Sequence, residues 1–365
     1  MGGNEDNEWG NDMSLYFISR AAIIFAAVIV LGLALSCCDD DNPANPPPVP
    51  ARDYTVYFYD AIHNEGNWFF TYHPTSNTID SIWLPYASPP LISADGKKMY
   101  SWNEVDDMID VLELDSFALI DRLPYRAPLS VSPDNQLMAV RDREDVLHIL
   151  RTSDYSKVFS DTTLGGGVFS SNSQRFYGLP TAGGTLRIDL SDSLFPTIRF
   201  SLPFGAVRHI RPSNDETRFF LYLHVYAFDH YFAVYDIASD SLVFIEYLWP
   251  GFGELEITPG GRYVFYTNPG TMIGSTPGTP WITVYDVGRN EIHKRVSTAG
   301  MLDEPYQYGM PLGEICITPD GRWLVALPAK SFPFIFTVDT RRMTITKYLR
   351  FFQRFMEGLI CQNAP

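Results

Sequence analysis

Basic residues are scarce in this chain. It has 27 Lys and Arg residues against 43 Asp and Glu residues, which gives a formal net charge of −16, and it has no extended run of Lys or Arg. Proteins that bind nucleic acid need a clustered basic face to contact the phosphates. The sequence therefore predicts that nucleic acid is not a partner.

Motifs that mark common enzyme classes are absent as well. The chain has no Gly-x-Ser-x-Gly elbow, no His-Glu-x-x-His zinc motif, no phosphate-binding loop and no Cys-x-x-Cys-His haem site. It also has no helical periodicity long enough for an α/β fold. We therefore predict no catalytic residue, no metal site and no cofactor, and the missing haem motif disfavours an electron-transfer protein.

A hydrophobic run long enough to span a membrane is also missing. The apolar segment 21–36 is shorter than the about 20 residues of a spanning helix but suits the core of a signal peptide. Residues 33–38, which end in Cys37 and Cys38, resemble the lipobox of bacterial lipoproteins. The resemblance implies that 1–36 is a signal peptide and that Cys37, or alternatively Cys38, carries the lipid. An uncleaved N-terminal anchor is the other interpretation.

Either interpretation places the rest of the chain outside the cytoplasm, in a bacterial cell envelope, with the membrane leaflet undecided. Residues 37–52 are acidic and then rich in proline, which predicts an extended tether. Residues 53–365 form the folded domain. Translation could start at Met1 or at Met13, which would give a short conventional signal.

Beyond the tether, one turn signature recurs six times with a mean spacing of about 45 residues. Each copy joins two apolar runs and contains Ser, Thr or Pro followed by Asp, Asn or Gly, as in a tight hairpin turn. The copies are 92–96, 131–135, 169–173, 210–214, 257–261 and 317–321.

A second signature alternates with the first and consists of a strand, a polar turn and another strand. It occurs seven times, at 68–82, 111–120, 146–159, 186–200, 232–245, 282–296 and 334–347. Seven units of four short strands predict an all-β fold, a seven-bladed β-propeller of four-stranded antiparallel blades. A β-sandwich with accidental turn similarity is the alternative.

The two ends of the repeat region complement each other. Residues 54–60 and the hairpin after them supply three strands of the first blade, and 359–363 align with the start of the sixth repeat. We therefore predict that the C-terminal strand pairs with the N-terminal blade and closes the ring, which leaves no open edge between the first and last blades.

The Ser/Thr-Pro-Asp-Gly turns and the Val-Tyr-Asp type strands resemble the WD40-like and YVTN β-propeller repeats of envelope proteins, over residues 54–363. The Gly-His and Trp-Asp dipeptides of true WD40 repeats are missing. That family includes adhesins, scaffolds, assembly factors and lactonases, so the resemblance implies the fold and leaves the function open.

We predict a binding face where the second strand of a blade connects to the third and the fourth to the next blade. Extra residues fall there, at 224–231, 267–280 and 297–313, and aromatic residues recur in these connections. These features predict binding of an envelope protein, peptide or glycan. The alternative is that the rings wedge between blades. The aromatic candidates are Trp83, Tyr86, Tyr125, Phe204, Trp249, Phe252, Tyr306 and Tyr308.

Polar candidates are fewer. His209, His224 and His230 could approach one another near Glu254 and Glu256, which makes His209 and Glu256 candidate ligand-binding residues. The alternative function is a lactonase-like hydrolase that uses polar residues at the channel mouth. The ordinary interpretation is polar groups in a water-filled channel.

The acidic segment 104–110 has the charge for calcium but lacks the ligand spacing of a calcium loop, so a solvated turn is favoured.

Cys316 and Cys361 occupy matched positions on the innermost strands of the two blades that meet at the closure. In the envelope a disulfide bond between them can persist. Matched residues on neighbouring blades can also lie beyond disulfide reach. The sequence is therefore compatible with a disulfide bond that closes the ring and with two buried free thiols.

Overall fold

The fold is known from a computed structural model of the chain. It describes residues 54–60, 67–73, 78–84, 90–181, 183–200, 206–226, 229–248, 253–268, 281–297, 312–328, 334–350 and 357–363. These residues form 28 β-strands and no helix. The predicted signal peptide and tether, 1–52, lie outside the described residues.

The strands form seven separate four-stranded antiparallel sheets, which are the blades of a β-propeller. Within each blade we call the strands a to d from the axis outward. Blade 1 consists of β28 (Glu357–Asn363), β1 (Tyr54–Asp60), β2 (Asn67–His73) and β3 (Thr78–Leu84). Blade 2 consists of β4 (Leu91–Ile92), β5 (Lys98–Asn103), β6 (Met108–Glu113) and β7 (Leu119–Leu123). Blade 3 consists of β8 (Ala127–Val131), β9 (Leu137–Arg141), β10 (Leu147–Arg151) and β11 (Lys157–Asp161).

The other four blades follow the same order. Blade 4 consists of β12 (Leu164–Phe169), β13 (Arg175–Pro180), β14 (Thr185–Asp189) and β15 (Thr197–Phe200). Blade 5 consists of β16 (Ala206–Pro212), β17 (Arg218–Tyr226), β18 (Asp229–Asp236) and β19 (Ser241–Leu248). Blade 6 consists of β20 (Leu255–Ile257), β21 (Tyr263–Asn268), β22 (Trp281–Asp286) and β23 (Glu291–Ser297). Blade 7 consists of β24 (Leu312–Ile317), β25 (Trp323–Pro328), β26 (Phe334–Asp339) and β27 (Thr344–Arg350).

The ring closes through the C-terminal strand, as the sequence predicts. Strand β28 is the innermost strand of blade 1 and pairs antiparallel with β1, with Val56 opposite Cys361. A buried cluster that contains Val56 and Phe58 of blade 1 and Val325 and Leu327 of blade 7 lies across the junction. The first and last blades therefore share a hydrophobic interface like the other neighbours in the ring.

The core is divided into seven buried clusters, one at each junction between neighbouring blades. Successive side chains of a strand point to opposite faces of its sheet. On β5, Met99 therefore packs toward blade 1 and the adjacent Tyr100 packs toward blade 3, and both are fully buried. This packing explains why the inner strands are continuous apolar runs.

The repeated turns between strands a and b share one hydrogen-bonding pattern. In the first, the Ser93 hydroxyl donates to Asp95 Oδ1 (2.6 Å) and accepts from the backbone N–H of Lys98 (2.8 Å). The fourth residue of the turn has a left-handed φ, which Gly and Asn adopt with least strain. The left-handed residues are Gly96, Asn135, Ser173, Glu216, Gly261 and Gly321.

The fourth turn corrects the sequence alignment. The sequence pattern aligns Arg211 with Ser93, whereas the equivalent residue is Ser213, two positions later, whose hydroxyl donates to Asp215 (2.6 Å). The left-handed residue is then Glu216, with φ of 55°. Its carboxylate accepts from Arg175 of blade 4 (2.6 Å), an inter-blade bond that compensates the missing glycine.

The two faces of the ring differ in their connections. The turn face carries the a-to-b and c-to-d turns, all of about four to seven residues, and the loop face carries the b-to-c and d-to-a connections. The two longest connections in the ring, 269–280 and 298–311, both belong to the loop face. The predicted insertion at 224–231 is instead mostly part of the elongated hairpin β17–β18.

Among the described residues, no helix is long and apolar enough to cross a membrane.

Candidate functional site: the axial channel and the loop face

Two neighbouring inner strands, β16 and β20, bring a group of polar side chains to the axis of the ring. Arg211 on β16 and Glu256 on β20 form an ion pair of 3.1 Å between Nη2 and Oε1. Their side chains keep 34% and 25% of their accessible surface although both strands are innermost, so they line the axial channel. The sequence selects Glu256, and the structure shows that its carboxylate is held by a neighbouring blade.

Glu254 is a second carboxyl of this group and precedes β20. Burial, and then the charge of Glu314, raises the pKa of Glu254 to about 8, although Arg211 acts in the opposite direction. The carboxylate also accepts a hydrogen bond from the backbone N–H of Ile315 in blade 7. Near neutral pH this carboxyl therefore holds a proton, as a general acid must.

The predicted convergence of three histidines is only partly present. His224 and His230 stack with ring centroids 4.8 Å apart. His209 lies on the other side of Tyr222, whose ring is 6.0 Å from His209 and 5.5 Å from His230. Burial lowers the pKa of His209 to about 4, so this ring is neutral at pH 7. Within the described ranges no His, Cys, Asp and Glu side chains are grouped as metal ligands.

Two of the aromatic candidates lie in the described part of the chain. Trp83 lies within the outer strand β3 rather than in a loop, and it is 40% exposed. Tyr125 lies in the connection between β7 and β8 and packs on the cluster between blades 2 and 3, with its ring 5.4 Å from that of His148. The other candidates lie outside the described residues: Tyr86, Phe204, Trp249, Phe252, Tyr306 and Tyr308.

Three of the four carboxylates in the acidic segment 104–110 pair with arginines. Asp106 and Asp110 both pair with Arg122, each at 3.1 Å. Asp107 pairs with Arg143 at 2.7 Å between Oδ2 and Nε. A salt-bridged loop is therefore found where the sequence favoured a solvated turn.

Next to this segment the loop face has a pocket that the sequence analysis did not select. The blade 2–3 pocket has a volume of about 250 Å³ and is lined by Trp102, Glu104, Asp107, Arg126 and Arg143. These residues come from the end of strand b and the b-to-c connection of blade 2, and from the d-to-a and b-to-c connections of blade 3. The predicted order of the blades makes these connections neighbours in the ring, whereas a search for recurring aromatic residues does not select them.

Cys316 is disulfide-bonded and lies in the buried cluster between blades 7 and 1. That cluster also contains Val56, whose backbone is paired with Cys361. The side chain of Cys361 lies outside the described part of the chain, so the pairing of these two cysteines stays a prediction. The lipidation candidates Cys37 and Cys38 are also outside it.

Comparison with known proteins supports the fold. No protein-family model and no curated protein matches the sequence. Among solved structures, Kuenenia stuttgartiensis hydrazine synthase is 15% identical, with a TM-score of 0.54 over 69% of this chain and 76% of that one. The Myceliophteria thermophila Cps50 (Swd1) β-propeller domain is 10% identical, with a TM-score of 0.56 over 76% and 90%.

Dihydro-heme d1 dehydrogenase NirN in complex with DHE is 13% identical to this chain, with a TM-score of 0.53 over 84% of it and 74% of that structure. At these identities the similarity is one of fold, and the chain is a seven-bladed β-propeller. Because propellers with different activities share this architecture, the fold alone does not select a function.

Proposed function

We propose that this protein is a lipid-anchored propeller of the bacterial envelope that acts as a non-catalytic binding or scaffold module for a protein, peptide or glycan. The observation that carries the proposal is the asymmetry of the ring. The turn face has only short connections, whereas the loop face has the two longest connections and the blade 2–3 pocket. Binding residues concentrate on loops that a rigid scaffold holds in place.

The envelope location rests on the sequence of residues 1–52 and on its resemblance to a lipoprotein signal. The disulfide bond of Cys316 supports it, because disulfides persist in oxidising compartments and are rare in the cytosol. The resemblance of the turn and strand motifs to WD40-like and YVTN repeats of envelope proteins agrees with this location.

The proposal is tested by cross-linking and pull-down of the tagged full-length chain from envelope membranes. One variant lacks 271–279 of the loop face. A matched control has the turn 190–196 of the turn face shortened to the length of the other c-to-d turns. We expect the wild type and the control to capture the same partner and the loop-face variant to lose it. Equal capture by all three chains contradicts binding through the loop face.

Glu254 favours a second candidate function, a lactonase-like hydrolase at the channel. A buried carboxyl that titrates near neutral pH beside an Arg211–Glu256 ion pair has the properties of a general acid. In that case Glu254→Gln abolishes turnover of a lactone substrate, whereas a binding module shows no turnover for either chain.

A further inference from the structure

The walls of the blade 2–3 pocket are fixed by Asp107. Its Oδ2 accepts from Arg143 Nε (2.7 Å), and its Oδ1 accepts from the indole N–H of Trp102 (3.2 Å). Arg143 also donates to the backbone carbonyl of Asp107 (3.3 Å). These bonds join the b-to-c connections of blades 2 and 3 and hold the indole in one orientation.

Two charged residues that line the pocket, Arg126 and Glu104, have no ion-pair partner among the described residues. The guanidinium of Arg126 lies over the ring of Trp102, 5.5 Å from its centroid, and the backbone N–H of Arg126 donates to the backbone carbonyl oxygen of Arg141 (2.8 Å). Glu104, which lines the same pocket, is exposed. An arginine stacked on an aromatic ring is weakly hydrated and partly pre-organised to bind a carboxylate.

We propose that the blade 2–3 pocket binds a zwitterionic ligand, an α-amino acid or a short peptide, whose carboxylate pairs with Arg126 and whose ammonium group pairs with Glu104. Guanidinium and carboxylate form two parallel charge-assisted hydrogen bonds, which fix the ligand's orientation. Trp102 supplies a flat apolar wall for the ligand's side chain. This inference rests on the proposed function and names the chemistry of a ligand for its loop face.

The size and the remaining polar groups favour this ligand over a sugar. A volume of about 250 Å³ lies just below the range of about 300–1,000 Å³ that is usual for small-molecule sites, and it suits a group of one or two amino acids. A sugar needs several acceptors for its hydroxyl groups, but both carboxylate oxygens of Asp107 already accept a hydrogen bond, one from Arg143 and one from Trp102. What remains is one cation and one anion, which match one carboxylate and one ammonium group.

The test is calorimetric titration of the detergent-solubilised full-length chain with defined probes. L-leucine carries both charges on one carbon, and leucyl-leucine carries them further apart. N-acetyl-L-leucine retains only the carboxylate, L-leucinamide retains only the ammonium group, and glucuronate represents an acidic sugar. We expect leucine or leucyl-leucine to bind at least about tenfold more tightly than either single-charge analogue, because each loses one charge-assisted bond.

Substitutions of Arg126 and Glu104 test which residue binds the carboxylate of the ligand and which binds its ammonium group. Arg126→Gln weakens binding of the zwitterion and of N-acetyl-L-leucine by about tenfold or more, whereas Glu104→Gln weakens binding of the zwitterion and of L-leucinamide and leaves N-acetyl-L-leucine unchanged. Arg289→Gln, an exposed arginine on the turn face, leaves all affinities unchanged. Thermal unfolding of each variant separates lost binding from lost folding.

Binding by leucine alone identifies a free amino acid, and binding by leucyl-leucine alone identifies a peptide. The proposal is overturned if neither zwitterion binds, if binding is insensitive to Arg126→Gln, or if glucuronate is the only probe that depends on Arg126. A chain that captures a partner through 271–279 but binds no zwitterion retains the proposed function and loses only this ligand.

Discussion

The channel carboxyl of Glu254 makes stability fall as the pH rises. Its pKa is about 8 in the folded chain and near the ordinary 4.5 in the unfolded chain, because burial and Glu314 act only in the fold. Between these pH values only the unfolded chain gives up the proton. The free energy of unfolding then decreases by about 1.4 kcal/mol for each pH unit, or about 5 kcal/mol over the whole interval.

Glu254→Gln removes this dependence, because glutamine has the shape of the protonated carboxyl and still accepts from Ile315. In urea unfolding followed by tryptophan fluorescence from pH 5 to pH 9, we expect the two chains to be similar at pH 5 and the variant to be more stable at pH 9. Glu291→Gln, at an exposed position on the turn face, is the matched control and follows the wild type. Parallel pH profiles for wild type and Glu254→Gln would refute the reasoning.

Three further predictions concern the closure, the packing and the anchor. Gly167→Ala lowers the free energy of unfolding by about 1–3 kcal/mol, because a Cβ there would lie 2.5 Å from the backbone oxygen of Tyr177 on the next strand. The control Gly166→Ala places its Cβ in open space and leaves the free energy of unfolding unchanged. Equal losses for the two variants in urea unfolding would contradict this. Reduction of the Cys316 disulfide lowers the free energy of unfolding by about 4 kcal/mol if the bond closes a loop of about 45 residues. Cys361→Ser causes the same loss, and reduction then has no further effect. If reduction still destabilises the Cys361→Ser variant, Cys316 is bonded to another cysteine. Cys37→Ala abolishes metabolic labelling with palmitate. If the variant is still labelled, the acylated residue is not Cys37.

The fold could be predicted because each turn is stabilised by hydrogen bonds between residues that are close in the sequence. Four of the six a-to-b turns combine a hydroxyl, an Asp two residues later and a left-handed residue after it, within one hairpin turn, so Ser93, Asp95 and Gly96 are visible in the sequence. The fourth turn shows the limit. Glu216 takes the left-handed position because Arg175 of another blade holds its carboxylate, which is a contact that local pattern does not contain.

The candidate site depends on contacts between blades, which explains what sequence reasoning missed. Trp102 and Arg126 are 24 positions apart and meet only because blades 2 and 3 are adjacent in the ring. Likewise, the pKa of Glu254 is raised by burial and by Glu314 and lowered by Arg211, and these two residues belong to the blades on either side. Residue type suggested His209 as a partner of His224 and His230, but the intervening Tyr222 is visible only in the folded ring.

Site-specific photo-cross-linking tests the central claim, that partners bind the loop face, most directly. A photoreactive phenylalanine analogue is placed at Glu144 or Thr181 on the loop face and at Ser191 or Arg289 on the turn face, all exposed positions. In intact envelope membranes, we predict that adducts form from the two loop-face positions and not from the two turn-face positions. Adducts confined to the turn face, or equal at all four positions, would contradict the claim.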